Sequence, residues 1–222
     1  VKAYTVTLKH RLVTITPADP GMPGQPIDPA NPDGPKYPAG TAAQALTKPV
    51  SQTIKYQYQN GTAAGANNVQ TITFNRNVTI DEVDGALVYT TWLNGVGATT
   101  GSYDTVASAA LTGYTADMTS IAGNDAVTST ARDTTIVVTY TANSETATVT
   151  YIDTTTGQTL DVKTLTGDFN TLSDYRTTDT IANYIKVGYA LVASDYPVTG
   201  VRFDEDGTVK TYTLMLKHQQ VT

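Results

Sequence analysis

A chain of 222 residues without cysteine holds neither a disulfide nor a thiolate metal site, yet it is long enough to bury two small cores unaided. Its net charge of −6, with 14 Lys and Arg against 20 Asp and Glu, opposes binding to nucleic acid or to an anionic membrane, both of which demand clustered cations. No apolar run approaches the roughly 20 residues of a membrane span, so no membrane insertion is expected of this stretch; opening at Val1 rather than Met, it reads as a piece of a longer protein.

Only 15% of the residues are charged, while threonine is abundant beside 14 tyrosines and one tryptophan. Such a composition favours strands. The chain opens with VKAYTVTLKH at 1–10, and VKTYTLMLKH at 209–218 matches it at seven of ten positions. A duplication at both ends is what a tandem array leaves when one period is cut out of phase with its structural unit. Alternation places Tyr4, Val6 and Leu8, or Tyr212, Leu214 and Leu216, on one strand face, so each copy reads as the last strand of a domain. Residues 1–16 are therefore expected to be a terminal strand left over from a preceding repeat, without a sheet of its own.

Proline then falls at every third position from Pro17 to Pro38. This period predicts a polyproline II-like linker over 17–45, extended at about 3.1 Å per residue and free of internal hydrogen bonds.

A first domain is expected over 46–142. Ile54, Tyr56 and Tyr58 alternate with polar residues before the turn Asn60-Gly61, and strands are expected near Val69–Phe74, Ala86–Leu93 and Thr134–Thr141, with Asp84-Gly85 and Asn94-Gly95 as turns. The second domain, 143–222, opens with a hairpin, Thr146–Ile152 and Thr159–Leu165, around Thr156-Gly157. Ile181, Tyr184 and Ile185 then fall at helical spacing, with Gly188 as a C-terminal cap. A closing hairpin is expected from Val201–Phe203 and Val209–His218 around Asp206-Gly207. Hairpin, helix, hairpin is the order of a β-grasp, or ubiquitin-like, fold. The first domain is expected to echo it, because Leu111-Thr112-Gly113-Tyr114 parallels Lys186-Val187-Gly188-Tyr189. The fold class is thus α+β and β-rich, with two consecutive β-grasp domains behind a proline-rich spacer.

With DGPKYPAG at 33–40, QTITF at 70–74, TATVTYID followed by TTG and TL over 146–160, and the final LKH, the sequence resembles the long repeat of the mucus-binding proteins of lactic-acid bacteria over nearly its whole length. The resemblance implies two β-grasp-like domains per repeat, extracellular display in tandem on a cell-wall-anchored protein, and binding to mucin glycoproteins. It also implies neighbouring repeats as partners and, for some members, immunoglobulins. It supplies no catalytic residue and no cofactor.

The residues themselves support binding rather than catalysis. His10 and His218 are one repeat position seen twice, which favours a structural role at a strand end, and there is no G-x-S-x-G elbow, H-E-x-x-H helix or phosphate loop. For sugar contact, Trp92 beside Asn94 offers an apolar face next to hydrogen-bonding groups, with Tyr103 close by in sequence; the alternative is that Trp92 packs into a core. Asp204 and Asp206 are candidate ligands for Ca2+, but their run lacks the alternating oxygen ligands of a calcium loop, and a solvated hairpin turn is the default. An immunoglobulin-binding module and an inert stalk repeat stand as alternatives to the mucin adhesin.

Overall fold

The computed structural model describes residues 1–220; the last two residues of the expected second domain lie outside the described residues. In chain order they form β1 (Leu12–Ile15), a 3-10 turn (Ala39–Thr41), α1 (Ala43–Leu46), β2 (Thr47–Tyr58), β3 (Asn68–Asn75), β4 (Val78–Asp81), β5 (Leu87–Tyr89), β6 (Thr100–Tyr103), β7 (Val106–Ala107), β8 (Tyr114–Ala116), β9 (Ser120–Ile121), β10 (Asn124–Thr128), β11 (Thr134–Ala142), β12 (Ser144–Asp153), β13 (Gln158–Asp168), α2 (Thr178–Lys186), β14 (Tyr189–Ser194) and β15 (Lys210–His218). The chain is β-rich with few helices, as its threonine, valine and tyrosine content dictates. It divides into two units. The first comprises Val1–Tyr56, Gly65–Ala107 and Ser120–Val137, and the second Gln57–Ala64, Ser108–Thr119 and the described chain from Val138 onward.

In the first unit, β1 pairs antiparallel with β4, Leu12 opposite Asp81 and Ile15 opposite Val78, and β4 turns back onto β5 at Gly85, whose φ of 75° suits a residue without a side chain. Period-2 alternation sends Ile15, Val78 and Ile80 inward, where they meet Leu46. Val13, Ile27 and Tyr37 pack against this cluster, and two of these three come from the proline segment. That segment is not the extended helix its period predicts. Gly24 N–H donates to Tyr37 O, Tyr37 N–H to Gln25 O and Ile27 N–H to Pro35 O, each at 2.9 Å, so 24–37 folds back on itself, whereas polyproline II has no internal hydrogen bonds. The residues between the rings decide this. Ile27 and Tyr37 gain more by burial than the segment loses by bending, and proline sits readily in turns. By contrast Val1–His10 has no strand partner among the described residues, and Tyr4, Val6 and Leu8 stand 84%, 81% and 87% exposed.

A second cluster of the same unit sits under the β2–β3 hairpin, where Thr47 faces Asn75 and Ile54 faces Asn68. Val50 and Phe74 project into it and meet Tyr103 and Val127 from the β6–β10 pair. The helix expected before Gly113 is absent among the described residues: Leu111 and Tyr114 close a tight turn instead, and the neighbouring segments are two- and three-residue strands. The Gly-Tyr motif recurs because both sites need a glycine at positive φ, 77° at Gly113 and 95° at Gly188, and not because both follow a helix.

The second unit is built on one four-stranded sheet, ordered β13-β12-β15-β14. β12 and β13 form the expected hairpin at Gly157, β12 and β15 run parallel at the centre, and β14 pairs antiparallel with β15. Strict alternation along β12 buries Glu145, Ala147, Val149, Tyr151 and Asp153 on one face. Leu214 and Leu216 join them from β15, and Ile181 and Tyr184 of α2 cover them. Gly188 ends the helix, its N–H donating to Ile185 O. The closing hairpin differs from expectation, since the partner of β15 is Tyr189–Ser194 and not Val201–Phe203. Pro197 and Gly200, at φ 96°, break the chain before that run. Val201 and Phe203 enter the core as loop residues, and Phe203 N–H donates to Thr171 O.

Candidate functional site

Trp92, Asn94 and Tyr103 all lie in the first unit and have three different jobs. Asn94 holds its own turn: Oδ1 accepts the N–H groups of Val96 and Ala98, and Nδ2 donates to Thr100 O at 2.8 Å. Tyr103 is a core residue, 6% exposed, with a hydroxyl that is buried and without a hydrogen-bond partner; burial first, and the Asp133 charge second, push its pKa up. Neither offers a free group to a sugar. Trp92 is partly buried against the same cluster. The Arg76 guanidinium stacks on it, 4.4 Å from the Trp92 ring centroid and 3.7 Å from that of Tyr89. Arg76 Nε donates to Ala45 O and Tyr89 OH to Gly40 O, which fixes the stack. Sequence reasoning missed Arg76 and Tyr89, because no spacing rule links residues on different strands.

Asp204 and Asp206 belong to the second unit and do not share a site. Asp204 is bound by Lys210, which also reaches Glu205 at 3.4 Å. Asp206 accepts from Gly113 N–H at 3.0 Å and from Asn143 Nδ2 at 2.9 Å. The Asn143 amide and then the Gly113 N–H hold its carboxyl below the usual range, and Lys210 does so for Asp204. Both carboxylates thus accept from donors of the chain itself. Another group of ligand-type atoms, His10, Asp81 and Asp84, lies within 4.8 Å, but His10 Nδ1 is already hydrogen-bonded to Asp81 at 2.6 Å. That bond raises the His10 pKa and lowers that of Asp81.

His218, the equivalent of His10, also meets an aspartate. Its Nε2 lies 3.0 Å from Asp153 Oδ2, its N–H donates to the Thr155 hydroxyl, and its ring sits edge-on to Tyr189. Both histidines thus meet an aspartate of the chain, His218 at the end of β15 and His10 two residues before β1.

The surface of the second unit with the chemistry of a sugar subsite lies between β13 and α2. Here Asp161, Lys163, Thr180, Asn183, Tyr184 and Val187 line a cavity of about 420 Å³. Lys163 Nζ and Asp161 Oδ2 pair at 2.9 Å, so the cavity carries both charges yet no net charge from them. Tyr184 is held from beneath by the Tyr151 and Tyr189 rings, and the Tyr151 hydroxyl meets that of Tyr175 at 2.9 Å. An aromatic wall beside a carboxylate, an ammonium, an amide and a hydroxyl provides stacking and orienting hydrogen bonds together. No periodicity rule brings Asp161 of a strand to Asn183 of a helix, so this grouping was invisible in the sequence.

Residues 41–144 match the family of the Muc B2-like domain, and residues 145–218 that of the Mucin binding domain. The chain is a MucBP-type repeat. Among solved structures it is similar to Mub-RV, with 29% identity over 44% of this chain and 53% of that one at a TM-score of 0.42. It is also similar to the mucin-binding domain of Spr1345 from Streptococcus pneumoniae, with 28% identity over 43% of this chain and 91% of that one at 0.39. The type 2 repeat of the mucus-binding protein MUB from Lactobacillus reuteri aligns at 24% identity over 60% of each chain at 0.38. This MucBP-type repeat thus spans about half the length of the Mub-RV chain. Curated protein sequences give no match. Both matched families are named for mucin rather than for a reaction. No helix among the described residues is long and apolar enough to cross a membrane.

Proposed function

We propose that this MucBP-type repeat is a non-catalytic adhesion module of an extracellular, cell-wall-anchored bacterial surface protein, and that it holds mucin glycoproteins through weak, multivalent contacts. The observation that carries the reading is the pair of adjacent mucin-type family matches, which together run from residue 41 to residue 218. The second unit, with its hairpin, helix and hairpin around a parallel central strand pair, we read as a β-grasp domain over 143–222. The first domain, 46–142, takes the folded proline segment into the same unit. Residues 1–10 we read as the final strand of a preceding repeat.

At a net charge of −6 the repeat has no general attraction for acidic mucin, so recognition is local. The β13–α2 cavity is the contact we favour, because its Tyr184 wall and its Asp161, Lys163 and Asn183 groups suit a sugar ring; Trp92, already stacked under Arg76, is the second candidate. Each weak contact then raises the effective concentration of the next repeat along the array.

Surface plasmon resonance over immobilised mucin, before and after enzymatic deglycosylation, tests this. Binding that disappears on deglycosylation, grows more than tenfold in a two-copy protein and drops in Asn183→Ala supports the reading. Absence of binding by either form indicates a stalk, and binding to immunoglobulin alone indicates a protein-reading module; either overturns it.

A further inference from the structure

Val1–His10 and Val209–His218 are one strand in two surroundings. In the later copy Leu214 and Leu216 are fully buried between β12 and β14, while in the earlier copy Val6 and Leu8 are bare. The identity continues beyond the histidine, because Val13-Thr14 repeats Val221-Thr222 in sequence. Yet Leu12–Ile15 is β1, paired with β4 inside the first unit. Successive repeats would therefore pass from the last strand of one, ending at His10, to the first strand of the next with only Arg11 between. The proline segment, folded onto the Ile15–Ile80 cluster, separates nothing.

The two histidines use different ring nitrogens. His218 turns Nε2 to Asp153 of the sheet it closes, and His10 turns Nδ1 to Asp81 of the unit it precedes. In an array these are the same residue. We propose that a second copy of this chain completes the site: at each joint one histidine bridges Asp153 of the preceding repeat and Asp81 of the following one, clamping a one-residue connection. This rests on the reading of residues 1–10 as the last strand of a preceding repeat.

The chemistry favours the bridge. Nδ1 and Nε2 point to opposite sides of the ring, and only the protonated imidazole donates from both. Asp81, Asp84 and Glu82 face the joint from the β4–β5 side, with Arg11 pairing Glu82 at 3.4 Å. From the preceding sheet come Asp153, the Thr155 hydroxyl and the Tyr189 ring, and Lys217 is the adjacent cation. Two carboxylates against one imidazole raise its proton affinity, so the clamp holds while the imidazole is protonated and both carboxylates are ionised, and it opens as the pH rises through the raised histidine value.

The test is a two-copy protein, residues 1–208 followed directly by 1–222, which contains three histidines, followed by NMR through a pH titration. The joint histidine is expected to titrate about one pH unit or more above His10 of the first copy, which has no Asp153 beside it. Asp81→Asn in the second copy should lower it, with the fold unchanged because the amide still accepts from Val83 N–H. If the amides of Thr5–Leu8 at the joint are protected but the joint histidine titrates with His10 of the first copy, the clamp is refuted and the strand reading survives. Unprotected amides there refute both.

Discussion

Asp206 and Gly113, far apart in sequence, are joined by a hydrogen bond of 3.0 Å from the Gly113 N–H to one carboxylate oxygen, while the other oxygen accepts from Asn143. An acidic residue of a turn that reads as solvated is thus a clasp within the second unit. Its pKa is depressed in the folded state, so the clasp contributes stability that is present above the ordinary carboxylate value and is lost as the pH falls through the depressed one. Urea denaturation at several pH values should show wild type more stable than Asp206→Asn at pH 7, with the difference vanishing in strong acid. A difference that is constant with pH would show that the carboxylate charge plays no part.

Gly113 and Gly188 share a motif and a positive φ but not a neighbourhood. A Cβ at Gly113 would stand 2.2 Å from Phe169 Cγ, whereas at Gly188 it would meet nothing within 4 Å. Gly188→Ala should therefore cost only the backbone strain, about 1 kcal/mol. Gly113→Ala adds a clash with an aromatic ring and should cost ~2–4 kcal/mol. Equal losses in denaturant melts of the two variants would show that the Phe169 ring moves aside freely.

Leu214 and Val6 occupy the same repeat position. Leu214→Ala empties a fully buried site and should cost ~2–5 kcal/mol. Val6→Ala in the single chain should stay within about 0.5 kcal/mol, because the side chain is exposed. In the two-copy protein the same substitution at the joint should cost about 2 kcal/mol, through lost burial. Thermal melts of the four proteins check this, and a neutral joint substitution would mean that the strand finds no core there.

Wherever a signal is local, the sequence reads through to the structure. The β12–β13 hairpin and α2 follow from alternation, turn glycines and a C-terminal cap, and they lie within a few residues of their expected limits. Where two runs compete for one strand position, local signals mislead: Val201–Phe203 has the better apolar pattern, but Pro197 and Gly200 turn it into a loop and Tyr189–Ser194 takes the sheet edge. The same holds for the proline period, which describes the rings and is silent about Ile27 and Tyr37 between them.

The sequence by itself determined the β-rich class, the tandem organisation and the mucin-binding family likeness, because composition, duplication and motifs are properties of order along the chain. The tertiary structure alone decided which carboxylates stand beside which donors, that Tyr103 is core while Tyr184 lines a cavity, and that the two histidines spend opposite nitrogens. Those pairings join residues many positions apart, and only the register of strands and the packing of α2 set the distances on which their energies depend.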